Sequence, residues 1–452
     1  MIVMKFGGTS VGEPDNFRTA VGLVRAALGR DPVVVVSALS GVTNLLVEYL
    51  QDANRRDEIA RTFAARHVSF ADSVGIAPDE FAAALDLWRA EEAAIRKKVD
   101  LKRKERDRIL AHGERLAAHL FAAGLRAAGT PAVAVFAGDA GLVTDDNFGA
   151  AHPLPSAEAR LREGLAHRRP LPVVTGFTGV TEEGQVTTLG RGGSDYTAAV
   201  IGAALGAEEI QIWTDTSGML SADPRIVPEA RPVPRLSFAE ASELAYFGAK
   251  VLHPKTLLPA VDRDIPVRIL NTRRPDDPGS RIAPESAATA SSWGVKSIAS
   301  KQGIAAVTIV STRMLLAHGF LARVFEVFGR HHVVVDLVTT SEVSISVTVD
   351  DTARLEGAIP ELEAIGRVEV RSGLAVVAVV GEGAPHRVGL AGHVFTLLGG
   401  VGIVVEMISQ GASRVNLSFV VRDADAARAV RLLHRGLGLD AEVSPEAEAA
   451  GR

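Results

Sequence analysis

The last third of this chain repeats itself, and a repeat sharply limits the architectures open to it. Val324-Phe325 recurs as Val394-Phe395, seventy residues later. Val333-Val334-Val335-Asp336-Leu337-Val338-Thr339 recurs at the same offset as Ile403-Val404-Val405-Glu406-Met407-Ile408-Ser409. Val343-Ser344-Ile345-Ser346-Val347 returns as Val415-Asn416-Leu417-Ser418-Phe419 at an offset of seventy-two, so two residues are inserted in the turn after the second strand. Each copy reads as a helix, two strands and a helix, preceded by a strand at 305–310 or 375–380. That is the βαββα order of a split-βαβ module. The pattern fits two duplicated structural modules and equally two small-ligand regulatory modules.

Ahead of the repeat the texture differs. Residues 2–6 and 32–37 are apolar runs of strand length, and the second, Pro-Val-Val-Val-Val-Ser, reads as a strand buried on both faces, as in a parallel sheet. Residues 44–128 are helical in pattern, rich in Ala, Leu, Glu and Arg. Residues 172–175 and 209–214 are further buried strands, each followed by a glycine or hydroxyl turn and a helical stretch. Strands alternating with helices predict a layered α/β domain with a parallel sheet, running to about Asn271. Residues 273–292, with Pro, Asp and Ser and no period, read as a linker.

Bulk properties remove several function classes. The 452 residues predict two or three domains, and 47% hydrophobic with 23% charged residues is ordinary for a globular core. A net charge of -5 argues against a nucleic-acid or anionic-membrane partner. With no cysteine, disulfides, thiolate metal sites and cysteine nucleophiles are excluded. No signal-peptide pattern opens the chain and no apolar run reaches spanning length, so a cytoplasmic location is expected.

Several segments carry chemistry. Lys5-Phe6-Gly7-Gly8-Thr9-Ser10 puts a cation and bare backbone N–H groups at a strand end, where a phosphate can sit. The lysine precedes the glycines, unlike a P-loop. Thr188-Leu189-Gly190-Arg191-Gly192-Gly193-Ser194-Asp195-Tyr196-Thr197 leads into a small-residue helix. Ser194 or Asp195 can cap it, its N–H groups favour an anion, and Arg191 offers a planar fork to a carboxylate or phosphate. Ile212-Trp213-Thr214-Asp215 ends a buried strand and continues to Asp223-Pro224-Arg225, though Asp215 and Asp223 are also ordinary turn formers. Tyr246-Phe247-Gly248-Ala249-Lys250 adds a second cation near the phosphates. Thr43 either contacts a substrate or caps a helix. The glycine in His112-Gly113-Glu114 weakens a helix, which implies that something approaches its backbone. Glu114 suits a substrate ammonium, against the plainer reading of a solvated charge.

In this order, Lys-Phe-Gly-Gly-Thr-Ser, Gly-Arg-Gly-Gly-Ser-Asp, Thr-Asp with Asp-Pro-Arg, and Phe-Gly-Ala-Lys-Val-Leu-His-Pro resemble the aspartate kinases over nearly the whole chain. The likeness is greatest to the monofunctional, lysine-sensitive bacterial form. The tandem modules resemble the paired ACT domains of that family. The resemblance implies an amino-acid kinase fold, a parallel-rich central sheet with helices on both faces, followed by two ferredoxin-like ACT modules. It divides the chain into residues 1–292 (linker about 273–292), 304–374 as the first ACT module, and 293–303 with 375–445 as the second.

The implied activity is phosphorylation of the side-chain carboxylate of L-aspartate by ATP with Mg²⁺, opening lysine, threonine and methionine biosynthesis. Alternatives are a kinase of another amino acid, such as glutamate, and a catalytically silent amino-acid sensor. By the same resemblance Lys5, Gly7 and Gly8 hold the phosphoryl group, and Lys5 and Asp195 are the catalytic pair. Thr43, Glu114, Arg191, Gly192, Gly193 and Ser194 hold aspartate. Thr214, Asp215, Leu220, Arg225, Lys250 and Val251 line the nucleotide pocket, with Leu220 where relatives carry a tyrosine. Met314, Gly319, Phe320, Leu321, Val335, Asp336, Thr340, Ser341 and Glu342 match the effector region, with lysine ahead of threonine as effector. Leu316-Ala317 departs from the polar pair usual there. A homodimer through the ACT modules is implied, tetramers are left open, and the metal ligands are unassigned. The acceptor is a carboxylate already ionised at neutral pH, so no general base is required.

Overall fold

Five consecutive apolar or lysyl residues, Ile2–Phe6, form β1, and Pro32–Val36 form β2; both are buried along their whole length. Strands covered on both faces belong at the centre of a parallel sheet. In this computed structural model, described for residues 1–166, 169–248, 252, 254–284, 291–314, 318–411 and 414–440, they do so. With β3 (Ala132–Val135), β4 (Leu171–Thr175), β5 (Thr178–Val180), β6 (Val186–Thr188), β7 (Glu209–Thr214), β8 (Arg235–Ser237), β9 (Val267–Asn271) and β10 (Ser280–Ala283), they account for the strands of the N-terminal region. The eight-stranded sheet runs β3-β4-β2-β1-β7-β9-β10-β8, and β5 pairs with β6 in a separate hairpin. Every neighbour in the large sheet is parallel except β9 with β10.

The two faces of β1 meet different helices. Ile2, Met4 and Phe6 enter a core built with the helices Pro14–Ala26, Val42–Gln51 and His112–Ala127. Phe6 stacks between Phe121 and Trp213, and full burial of such a ring stabilises the fold by about 1.5–3 kcal/mol. Val3 faces the other way, toward Gly202 of the helix Gly193–Leu205. Lys5, two residues on, shares that second face.

Two sequence expectations need correction. The stretch read as a linker contains β10, where Ser280 and Ile282 are buried and Arg281 is exposed. Four residues are too few to display a period. The β5–β6 hairpin intervenes between β4 and the helix that was expected to follow it directly.

The chain divides into two compact units, Met1–Met219 with Pro234–Phe238 and Val251–Glu285, and Leu220–Val233 with Ala239–Lys250 and Ser286–Arg452. The second holds an antiparallel sheet of β11 (Ser297–Val310), β12 (Val335–Thr340), β13 (Ser344–Val349), β14 (Arg367–Val380), β15 (Met407–Ser409) and β16 (Asn416–Arg422), in the order β12-β13-β11-β14-β16-β15. The strand expected before each repeat is the second half of a strand fourteen residues long. Ala305 to Val310 pair with β13 in the first repeat, whereas Ser297 to Lys301 pair with Val376 to Val380 of β14, beside β16 of the second. Gly303 and Gly373, again seventy residues apart, both take φ +75 within these strands, a value that suits glycine. Each repeat has its own apolar core. Among the described residues, no helix is long and apolar enough to cross a membrane.

Candidate active site

The parallel register brings the carboxyl ends of β4, β2, β1 and β7 side by side: Phe6 lies opposite Val36 and Trp213, and Val36 opposite Thr175. Neighbouring strands lie about 4.8 Å apart, so the turns leaving them share one surface. Lys5 is 7% exposed and its ammonium lies 2.5 Å from Asp195. Gly7 donates its N–H to Trp213 O at 2.9 Å. Ser10 Oγ donates to the same oxygen at 3.1 Å and meets Thr272 Oγ1 at 2.7 Å. The glycine turn is thereby fixed from below.

Asp195 comes from the Gly193–Leu205 helix, whose N-cap is Gly192 at φ +70, with Gly190 at φ +78. Neither Ser194 nor Asp195 caps the helix, contrary to the sequence expectation. No side chain does, because both already lie inside the first turn. The Gly193 N–H turns back to Gly190 O at 3.0 Å, and no side chain covers the Ser194 and Asp195 N–H groups at the positive end of the helix dipole. Arg191 is exposed and no described residue pairs with it. Between β4 and β5, Phe177 holds φ +65, rare for a bulky residue, and its N–H donates to Thr197 Oγ1 at 3.0 Å.

Glu114 is the most perturbed group here. It is 3% exposed, its Oε1 accepts the Ala38 N–H at 3.1 Å, and its buried Oε2 has no partner among the described residues. Burial pushes its pKa up to about 8, against backbone hydrogen bonds from Ala38 and from its own N–H. The solvated-charge reading of Glu114 is thus excluded. What approaches Gly113 is the chain's own turn after β2: a Cβ there would stand 2.8 Å from Ala38 Cβ and 3.2 Å from Val42 Cγ1. Thr43 lies in the Val42–Gln51 helix, half-buried, with Gly41 as N-cap, so it is not the cap.

On the nucleotide side, Thr214 ends β7, and its Oγ1 donates to the exposed Asp215 at 3.2 Å. The loop that follows is braced by residues the sequence reading missed. Ser217 Oγ donates to Asp277 at 2.5 Å and accepts from Asn271 at 2.9 Å. Leu220 and Arg225 fall in the second unit, where the Arg225 guanidinium is bidentate to Asp223 at 2.9 and 2.5 Å. Lys250 and Val251 lie outside the described residues.

In the first repeat, Gly319 at φ +76 is the N-cap of the helix Phe320–Arg330, with no capping side chain. Leu321, Thr340, Ser341 and Glu342 are exposed, Met314 and Val335 half-buried, and Phe320 lies in the core at 2% exposed. Leu316 and Ala317 are outside the described residues. Asp336 is not a vacant acid: its fully buried carboxylate meets Lys301 Nζ at 3.1 Å and accepts the Tyr246 hydroxyl proton. Lys301 also reaches Asp350 at 2.8 Å. Burial, then Asp336, pushes the Tyr246 phenol well above its usual range. Neither Tyr246 nor Lys301 carried any sequence signal for this role.

Comparison with known proteins bears on this geometry. The amino acid kinase family matches residues 1–271, and the ACT domain matches 307–363 and 377–437. Lysine-sensitive aspartokinase 3 of Escherichia coli is 37% identical across 97% of this chain and 99% of its own length. Aspartokinase 1, chloroplastic, of Arabidopsis thaliana is 38% identical across 96% of this chain and 79% of its own. The structure of E. coli aspartokinase III in complex with aspartate and ADP (R-state) superposes with a TM-score of 0.83 at 35% identity, covering 97% of this chain and 99% of that one. Its complex with lysine and aspartate (T-state) gives 0.76, with the same identity and coverage. With strand ends, glycine loops and tandem modules all in place, the chain belongs to the aspartokinases of the amino acid kinase family.

Proposed function

We propose that this chain transfers the γ-phosphoryl group of ATP to the side-chain carboxylate of L-aspartate, forming 4-phospho-L-aspartate, under control of an amino acid bound at the ACT modules. The step is a displacement. A carboxylate oxygen bonds to the γ-phosphorus as the bond to the β–γ bridging oxygen breaks, leaving ADP, and no proton moves. The work is to bring one anion to another, so positioning and charge neutralisation dominate. Lys5, with the Gly7 and Gly8 backbone, meets the phosphoryl group, and Asp195 holds the Lys5 ammonium in line. Arg191, Gly192, Gly193 and Ser194 take a carboxylate of aspartate at the open helix end; Thr43 borders it, and Glu114 receives the ammonium. Thr214, Asp215 and Val251 line the nucleotide side. Mg²⁺ supplies charge neutralisation on the phosphates. Among the described residues there is no group of three or more carboxylates or histidines fit to hold a metal.

Residues 1–292 serve as the catalytic part, and 304–374 and 293–303 with 375–445 as ACT modules that pair in a cytoplasmic homodimer. Lysine is the effector. The observation that carries the catalytic reading is Glu114, a buried carboxyl with one unpartnered oxygen beside the strand ends that hold Lys5. Hydroxylamine trapping of the acyl phosphate across a panel of amino acids tests it. Aspartate is expected to turn over and Lys5→Ala to abolish that turnover; product from glutamate with none from aspartate would sink the proposal.

A further inference from the structure

Arg191 has no described side-chain partner, so the orientation of its guanidinium rests on the backbone of its loop. That loop hangs from Thr188, the last residue of β6. Thr188 donates its N–H at 2.7 Å to Asp107 Oδ2, and the same oxygen accepts the Gly149 N–H at 2.8 Å. Asp107 is 2% exposed and sits in the helix Arg103–Leu110. The two segments it joins also bind each other: Ala151 donates its N–H to Thr188 O at 2.9 Å, and a Cβ at Gly190 would stand 3.2 Å from Gly149 O. One carboxylate oxygen therefore pins both sides of the turn from which Arg191 projects.

We infer that Asp107 is a positioning residue for aspartate: it fixes the Thr188 and Gly149 amides and so aims Arg191. The inference rests on the proposed assignment of Arg191 to the substrate carboxylate. A buried charged acceptor suits this task, because hydrogen bonds to a carboxylate are short and strong and the low local dielectric preserves them. Among the described residues the hydrogen bonds of Asp107 go to Gly149 and Thr188 and to none of the proposed nucleotide-side residues, so its loss should be felt by one substrate only.

The test uses the full chain, with KM for aspartate and KM for ATP measured in Asp107→Ala and Asp107→Asn. Asp107→Ala leaves both amides unpaired, and aspartate KM is expected to rise about tenfold or more, with ATP KM within about twofold. Asp107→Asn retains an oxygen able to accept both N–H groups and should restore most of the loss. Amide hydrogen exchange over 186–193 should quicken in the alanine variant alone. Equal rises in both KM values, an unchanged aspartate KM, or an asparagine variant as poor as alanine would overturn the inference. If Asp107→Ala does not fold, Asp107→Glu replaces it, carrying its oxygen one methylene further. The same split is expected at smaller size, and an unaltered aspartate KM counts equally against the inference. Arg191→Ala separates the two readings: if it leaves aspartate KM unchanged, the substrate assignment itself fails, whereas a raised KM there with a silent Asp107 removes only the positioning role.

Discussion

Replacing Glu114 with glutamine isolates the charge that the site keeps in reserve. The glutamine amide oxygen can still accept the Ala38 N–H, which lies 3.1 Å from Glu114 Oε1, so the local turn is retained. With a pKa of about 8, set chiefly by burial, about a quarter of ligand-free chains carry the ionised form at pH 7.5. A bound ammonium favours that form, so each aspartate captured at pH 7.5 should release about three-quarters of a proton. Affinity for aspartate should therefore improve as pH rises toward 8, by close to tenfold per pH unit at the acid end. Glu114→Gln should abolish that trend and raise aspartate KM by about ten- to one-hundred-fold, the worth of a charge-assisted hydrogen bond.

The free protein provides an independent check on the same group. Between pH 4.5 and about 8 the folded chain keeps a proton on Glu114 that the unfolded chain releases. Stability is thus highest below pH 4.5 for this group and declines as pH rises through that window, by about 4 kcal/mol at pH 7.5 as an order of magnitude. Urea midpoints of Glu114→Gln should lack that decline. Calorimetry of aspartate binding in two buffers of different ionisation enthalpy reads the proton directly. Heats that do not depend on buffer, together with a wild-type aspartate KM in Glu114→Gln, would refute the reasoning.

Gly113→Ala should drive its new Cβ into Ala38 and Val42, cost about 1–3 kcal/mol less the helix propensity gained, and raise aspartate KM through the displaced turn; urea midpoints and kinetics read both. His67 is buried with Nδ1 2.7 Å from Phe63 O, and burial lowers its pKa to about 4. The unfolded chain takes up its proton first, so stability should fall as pH drops from 6.5 toward 4, by about 3 kcal/mol at the acid end; His67→Leu should flatten that part of the urea-midpoint profile. Tyr246→Phe removes the hydroxyl on Asp336 while keeping the ring packed on Phe247. It weakens the effector-free arrangement, so the lysine concentration giving half-inhibition should fall by about fivefold or more; an unchanged or higher value would count against Asp336 as the effector acid.

What the sequence made legible follows from length and period. β1, β2 and β7 were readable because short runs dominated by Val, Ile, Met, Phe and Trp favour a buried strand, and the repeat because seventy residues of matched pattern cannot arise from one strand. β10 was not, since Ser280 and Ala283 look like loop residues until Ile269 and Ser237 are beside them. Lys5, Gly113, Glu114 and the Arg191 loop were found because each breaks a local rule: a lysine in a buried strand, a glycine and a carboxylate inside a helix, an arginine amid glycines. Asp107 broke none. An aspartate in the run Arg-Lys-Glu-Arg-Asp-Arg looks solvated, and only the distant amides of Gly149 and Thr188 make it otherwise.

The helix Phe238–Phe247 shows the same limit at the level of domains. It falls inside the residues matched by the amino acid kinase family, and its sequence continues to Lys250, yet its residues from Ala239 onward cluster with the repeats. The reason is a polar stripe at three-residue spacing, which places side chains on one helical face. Glu240 meets Lys296 Nζ at 2.9 Å and the Glu382 N–H at 2.7 Å, Glu243 accepts from Asn416 at 2.6 Å, and Tyr246 reaches Asp336. No periodicity argument finds this stripe, because polar residues three apart ordinarily mean solvent. Its last member shares Asp336 with the Lys301 ammonium. A ligand that brings its own ammonium to that carboxylate must either displace Lys301 or share the acid with it. A ligand can shift an equilibrium only by its differential affinity for the two arrangements. If Asp336 receives the effector ammonium as proposed, that difference is set where Tyr246, Asp336 and Lys301 meet, and Tyr246→Phe is the variant that reads it.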